Sequence, residues 1–315
     1  MSQTVAIVGA GVSGLTCGVL FAERGYRTAI FAEQIGQQTT SGAAAALWFP
    51  YHVEPAQRVI PLALRTFDLL ADLARLRETG VAMIELRQFS RTGEIQIPGW
   101  ALPLKASVIP TGLDESRGFT SGYAITVPLM DTTIYLDYLA GRFRKAGGEI
   151  HTNIRLDQLD HVDPKFDLVI NCAGIGAREL VHDVDLEPHR GQVAIVPKIA
   201  NLSCATVCDD APLMYVIPRR HDCVFGGTNN LSDNLTADPA TTQQIVAECS
   251  RVLNIDQPPV LIERVGLRPF RRSGVRLERD RLADGRAVIH NYGHGGAGFT
   301  LSWACAREVL ELAAL

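Results

Sequence analysis

The sequence predicts an α/β protein of two interleaved units, a Rossmann-like dinucleotide-binding domain and an α+β domain built on a mixed or antiparallel sheet. Three observations predict it. The apolar, β-branched run TVAIV (residues 4–8) passes directly into the pattern Gly9-x-Gly11-x-x-Gly14. Two further apolar runs, FDLVIN from residue 166 and VIHNY from residue 288, also end at glycine-rich turns. Between these pieces lie segments rich in Gly, Pro, Ser and Thr with short alternating runs, as strands and turns require. The first unit is expected to comprise residues 1–50, 131–180 and 285–315, and the second residues 51–130 and 181–284.

Each element has its own local reason. After the first strand, apolar periodicity predicts a helix over 13–24, closed by Gly25, and a second buried strand over 28–32 that ends at Glu33. Val59, Ala63, Phe67 and Leu70 recur at helical spacing, which predicts one long helix from Pro55 to about Thr79, stopped at Gly80. Residues 85–130 read as strands and loops of the second unit. Asp131 is a good N-cap for a helix running to Lys145, ahead of Gly147 and Gly148. FDLVIN is a buried strand, while GQVAIV (191–196) and CVFGGT (223–228) read as members of an antiparallel sheet. Residues 239–253 form a helix, and the glycine-rich turn after VIHNY leads into a terminal amphipathic helix.

At 315 residues the chain is long enough for two cores, and 47% apolar with 20% charged residues is a globular balance. A net charge of −4 offers no basic surface for nucleic acid or anionic lipid, so a small molecule is the better partner. The opening residues carry neither a basic leader nor a long apolar span, from which a cytoplasmic protein without membrane contact is expected. Seven cysteines without a CxxC pair argue against a disulfide framework or zinc site, and eight histidines form no HExxH. No metal is expected.

The glycine pattern carries the first chemistry. Gly9 permits the tight turn, Gly11 lets backbone approach a pyrophosphate, and Gly14 lets helix and strand pack closely. The helix N-terminus, with Val12 and Ser13, presents N–H groups and positive dipole to phosphates, and Glu33 can accept from a ribose hydroxyl. The motif alone does not separate NAD from FAD. Its place near residue 1 and the second glycine turn near residue 298 lean toward FAD, whose long ring end needs groups from elsewhere in the chain. A terminal helix starting near Gly298 can aim its positive end at the flavin, a field contributing up to about 2 kcal/mol. Arg276 is a second candidate for that place.

Several separated stretches, VGAGVSGL (8–15), AAALWFPY (44–51), VINCAG (169–174), GQ (191–192), YVIP (215–218), GGT (226–228), GLRPFRRSGVRLERD (266–280) and VIHNYGHGGAGFTLSWACA (288–306), together resemble the D-amino acid oxidase family. The last two are the most specific. The resemblance implies an FAD-binding domain and a substrate domain, with a D-amino acid and molecular oxygen as partners. It places Arg268 of GLRP and Tyr215 of YVIP on the substrate carboxylate, and the Gly296 carbonyl on its amino group. Tyr51, Leu47 and Phe49 would line the substrate pocket. Thr40, Ser41, Ala45, Ala46, Cys172 and Ala173 would touch the cofactor, as would Gly295, Gly298, Phe299 and Thr300. His290 is either a flavin neighbour or a structural histidine.

One departure concerns the lid. Ala211 stands where vertebrate members of the family carry a tyrosine, on a shorter segment, CDDAPLM. Asp209 and Asp210, if they face the mouth, would repel acidic side chains, which favours neutral or basic D-amino acids. Arg219 and Arg220 keep D-aspartate open. Also open are a flavin amine oxidase acting on glycine or sarcosine, a non-catalytic flavin-binding redox sensor, a nicotinamide-dependent dehydrogenase, and assembly as a homo-oligomer.

Overall fold

Two sheets face one another across a long cleft in the computed structural model, which describes residues 3–110 and 118–315. Residues 1, 2 and 111–117, the last within the stretch read as strands and loops, lie outside the described residues. The chain begins β1 (Thr4–Ala10), α1 (Val12–Glu23), β2 (Arg27–Ile35), α2 (Thr40–Ala43), α3 (Ala56–Leu73), β3 (Val81–Ser90), β4 (Ser107–Val108) and β5 (Ser121–Met130). It continues through α4 (Thr132–Lys145), β6 (Glu149–His151), β7 (Leu168–Asn171), α5 (Ala177–Leu180), β8 (Leu186–Pro197), β9 (Cys204–Cys208), β10 (Met214–Pro218) and β11 (Asp222–Gly226). It closes with β12 (Asn230–Leu231), α6 (Pro239–Leu253), β13 (Ile262–Arg271), β14 (Arg276–Arg281), β15 (Ala287–Tyr292) and α7 (Gly298–Ala313).

Among the described residues, the first sheet runs β14-β15-β7-β1-β2-β6 and is parallel except at β14. Its central strand is covered on both faces, which is why Val5, Ala6 and Ile7 are fully buried and the run lacks polar alternation. Helix α1 packs against α4 and α7. The second sheet runs β12-β8-β11-β10-β9-β3-β5-β4 with β13 on β8, all antiparallel apart from β3 beside β9. This is the mixed sheet that the alternating segments predict. Its far face is closed by α6 through Ile245, Val246, Cys249 and Val252 against Ala194, Val196, Cys208 and Val216. The near face is left to line the cleft.

The helix expected from Pro55 to Thr79 ends at Leu73, and residues 77–79 form a separate 3-10 turn. Strand β14 belongs to the first sheet through its antiparallel pairing with β15, so the boundary expected at 284/285 falls on the wrong side of it. Charged outward positions, Glu278, Asp280 and Arg281, hide this edge strand from a hydrophobic pattern. No helix among the described residues is long and apolar enough to cross a membrane.

Candidate active site

A cavity of about 730 Å³ runs along the cleft, lined at one end by Gly9, Gly11, Val12, Ser13 and Glu33 and at the other by Tyr51, Tyr215, Arg268 and Gly296. At the first end, β1 turns into α1 through Gly9, whose φ of +105° is open to glycine and strained for other residues. A side chain there would also strike the Cys172 carbonyl of neighbouring β7, and one at Gly14 would strike the Gly9 carbonyl. Strand and helix thus approach as closely as backbone allows. The N-cap of α1, Gly11, has no side chain to cap the first turn, which also holds no acidic residue. Ser41 Oγ accepts from Val12 N–H at 3.0 Å and draws the 39–46 segment over the turn. Glu33 is exposed along the wall, with Arg155 3.8 Å away. Unfilled N–H groups at a helix N-terminus beside a carboxylate fit a pyrophosphate and a ribose hydroxyl. The cradle therefore fits a dinucleotide.

Strand alternation builds the other end. In the run after Ala46, Trp48 is fully buried, donates Nε1–H to the Ala63 carbonyl at 3.0 Å, and anchors the segment to α3. Its neighbours Leu47 and Phe49, with Tyr51, therefore face the cavity. The same period of two brings Val207 and Asp209 of the β9 line, and Leu213, Tyr215 and Ile217 of the β10 line, to one wall.

The Arg268 guanidinium lies flat over Gly191 of β8: a Cβ at Gly191 would stand 2.6 Å from its Cζ. Arg268 Nη1 donates to the Thr228 carbonyl at 2.9 Å, which fixes the plane of the group. The Tyr215 ring rests in the same way on Gly226 and Gly227, with its hydroxyl within the field of Arg268. Burial raises the Tyr215 phenol against the opposing pull of Arg268, so it stays protonated and can donate. Burial likewise raises Tyr51, whose oxygen accepts from Asn229 Nδ2 at 3.3 Å and whose ring lies on Gly296. A planar cation, a neutral donor and a glycine backbone thus converge on one end of the cavity, a set suited to an amino acid zwitterion.

Residues 4–312 match the family described as FAD dependent oxidoreductase.

The chain belongs to this family.

It is 38% identical over 314 residues to a D-amino-acid oxidase of Streptomyces coelicolor, covering 98% of this chain and 96% of that protein. It is also 31% identical to the human D-aspartate oxidase, over 98% of this chain and 94% of the relative. Among solved structures, a glycine oxidase from Geobacillus kaustophilus superposes with a TM-score of 0.82 at 19% identity, covering 99% of this chain and 95% of that one. A likeness at that identity speaks to the fold. As a member of the family the protein is an FAD-dependent enzyme.

Against this frame of FAD binding, Thr40, Ser41, Ala45, Ala46, Cys172 and Ala173 line the cavity between its two ends, and Gly295, Gly298 and Phe299 line it where α7 begins. Gly14 keeps the packing role expected of it, beneath the turn on the Gly9 carbonyl and outside the lining. Two predicted cofactor residues are placed differently. Thr300 is buried, its hydroxyl donating to the Phe49 carbonyl at 2.9 Å and accepting from Phe49 N–H at 3.0 Å. It braces the pocket wall from behind. Arg276 is also outside the lining, held on β14 by Glu278 at 2.6 Å and by the Tyr292 hydroxyl at 2.9 Å. The arginine is a sheet-edge brace.

His290 too is structural, bonded to Asn171 at 3.3 Å and absent from the lining. The cavity histidine is instead His294, which burial pulls down to about 4, so it is neutral and bonded to Asn291 Oδ1 at 3.1 Å. Sequence reasoning missed His294, although the specific segment contained it. It also gave no role to Gly191, Gly226 and Gly227, present in stretches whose resemblance was noted, because their function is to make room for side chains distant in sequence. Of the charged residues at the mouth, Asp209 lines the cavity, while Asp210 accepts from Ser90 Oγ and Arg91 N–H. Arg219 is buried in a pair with Asp222 at 2.6 Å, and Arg220 donates to the Arg77 carbonyl, so neither cation reaches the site.

Proposed function

We propose that this protein catalyses the oxidative deamination of D-amino acids with neutral or basic side chains, giving 2-oxo acids, ammonia and hydrogen peroxide. The reaction takes place in the cytoplasm with molecular oxygen as acceptor. The observation that carries the reading is the meeting of Arg268 and Tyr215 with the Gly296 backbone at one end of a cavity whose other end is the glycine cradle.

Arg268 holds the substrate carboxylate through its planar fork, its orientation set by Thr228 and by the flat rest on Gly191. Tyr215 donates to the same carboxylate. The Gly296 carbonyl accepts from the amine in its neutral form, and Tyr51 and Phe49 exclude water around the α-carbon. Three anchored substituents fix the direction of the α-C–H, and this positioning supplies much of the rate advantage. FAD, held by the cradle and by the 39–47 segment, supplies the acceptor for that hydride and the route of electrons to oxygen. Water then converts the released imino acid to the 2-oxo acid and ammonia.

The test compares D-alanine, L-alanine, glycine and sarcosine with the purified holoenzyme, reading peroxide and 2-oxo acid. D-alanine is expected to be turned over and L-alanine not. Preferred turnover of glycine or sarcosine would replace this reading with that of a related amine oxidase. Silence with all four and with a wider D-amino acid panel would leave a flavin-binding sensor.

A further inference from the structure

Asp209 stands at the substrate end of the cavity with no counter-charge. Its carboxylate accepts from Gln88 Nε2 at 3.1 Å, and among the described residues no arginine, lysine or histidine pairs with it. The register places it well. Val207 is the cross-strand partner of Tyr215, and Asp209 lies two residues further on the same face. At a rise of about 3.3 Å per residue, it sits roughly 7 Å along the wall from the carboxylate anchor. Tyr51 lines the same cavity, its phenol feeling both Arg268 and Asp209. In that register Leu213 falls beside Asp209, and Leu47 and Phe49 add apolar lining to the same cavity. That is a cation and an anion in one cavity lined with apolar side chains.

We propose that Asp209 receives the cationic end of a D-amino acid side chain, so that D-lysine, D-ornithine and D-arginine are preferred substrates and acidic D-amino acids are rejected. The inference rests on the oxidase reading and names the substrate class within it. A methylene stem packs along the apolar wall while its charged head meets the carboxylate. Asp209 is exposed to the open cleft, yet desolvation by the surrounding walls raises its carboxyl, with neighbouring Asp210 pushing the same way, and an incoming ammonium draws it back to the ionised form. An acidic side chain would meet the same carboxylate with like charge, and Arg219 and Arg220 are committed elsewhere.

The experiment measures kcat/KM for D-lysine, D-norleucine and D-glutamate in wild-type holoenzyme and in Asp209→Asn and Asp209→Ala. D-norleucine has the same chain without the amine. Asp209→Asn keeps a partner for Gln88, so fold and flavin content serve as controls. The expected result is a fall of roughly 10- to 100-fold for D-lysine in both variants, with D-norleucine within about twofold and D-glutamate improved. Oxidation of D-norleucine with an unmoved ratio of D-lysine to D-norleucine overturns the inference alone. Equal loss for both substrates also overturns it, because Asp209 then serves the shared α-amino end or the fold. Failure of every D-amino acid to reduce the wild-type flavin overturns the oxidase reading itself.

Discussion

Gly191→Ala removes no polar side chain from the site, yet it is expected to cripple it. The Arg268 guanidinium occupies the space above Gly191, and an added methyl would stand 2.6 Å from Cζ and from Nη2. Those atoms are the far end of a flexible side chain, so the arginine swings away while the β8 backbone stays. Its Nη1 bond to the Thr228 carbonyl, 2.9 Å in the native site, is stretched or lost, and the fork no longer meets a carboxylate squarely. Hydrogen bonds to a charged group contribute about 1.5–3 kcal/mol each. Losing one of the pair lowers kcat/KM by about 10- to 150-fold, at 1.36 kcal/mol per factor of ten. Steady-state kinetics with a D-amino acid, alongside the flavin absorbance ratio, read this directly. Flavin content should hold, because the cradle lies at the other end of the cavity. An unchanged kcat/KM in a variant with full flavin would refute the claim that this glycine seats the arginine.

Two further outcomes follow from residues that the structure places outside the cavity or buries beside it. Arg276→Ala removes the bonds to Tyr292 and Glu278 and should lower unfolding free energy by about 1–3 kcal/mol, leaving flavin spectrum and kcat unchanged; a shifted flavin potential would restore the role the sequence suggested. His290 and His294 are both buried and neutral, pulled down to about 4 by burial, with Arg276 adding to the shift at His290. Their folded values lie below the unfolded value of about 6.5. Stability is therefore full above that pH and is lost as pH falls from there toward 4, by up to about 1.4 kcal/mol per unit for each histidine. Urea unfolding at pH 7.5 and pH 5 measures it, and equal midpoints would contradict the burial argument.

What could be read from the sequence was whatever is local. Asp131 caps α4 with its carboxylate accepting from Thr133 N–H, and α6 begins at Pro239 behind capping Asp238, because caps act within a turn. The glycine cradle was legible for the same reason. Arg268 and Tyr215 were singled out only through resemblance, since a strand arginine and a strand tyrosine carry no signal of what they face. The seats beneath them, Gly191 and Gly226, pair with side chains that only the folded sheet brings near. Strand β14 escaped because its membership is decided by pairing with β15, and His294 was missed because nothing local says which way its short segment faces. The roles of Asp209 and Asp210 separated only when strand register turned one inward.

The account's central claim is tested most directly by anaerobic mixing of the holoenzyme with D- and L-amino acids while flavin absorbance is followed, in wild type and in Arg268→Ala. D-amino acids should bleach the wild-type flavin and L-amino acids leave it oxidised, with the variant needing far higher substrate and reducing more slowly at saturation. Bleaching of the variant at the wild-type rate and concentration, or a wild-type flavin that no D-amino acid reduces, would contradict it.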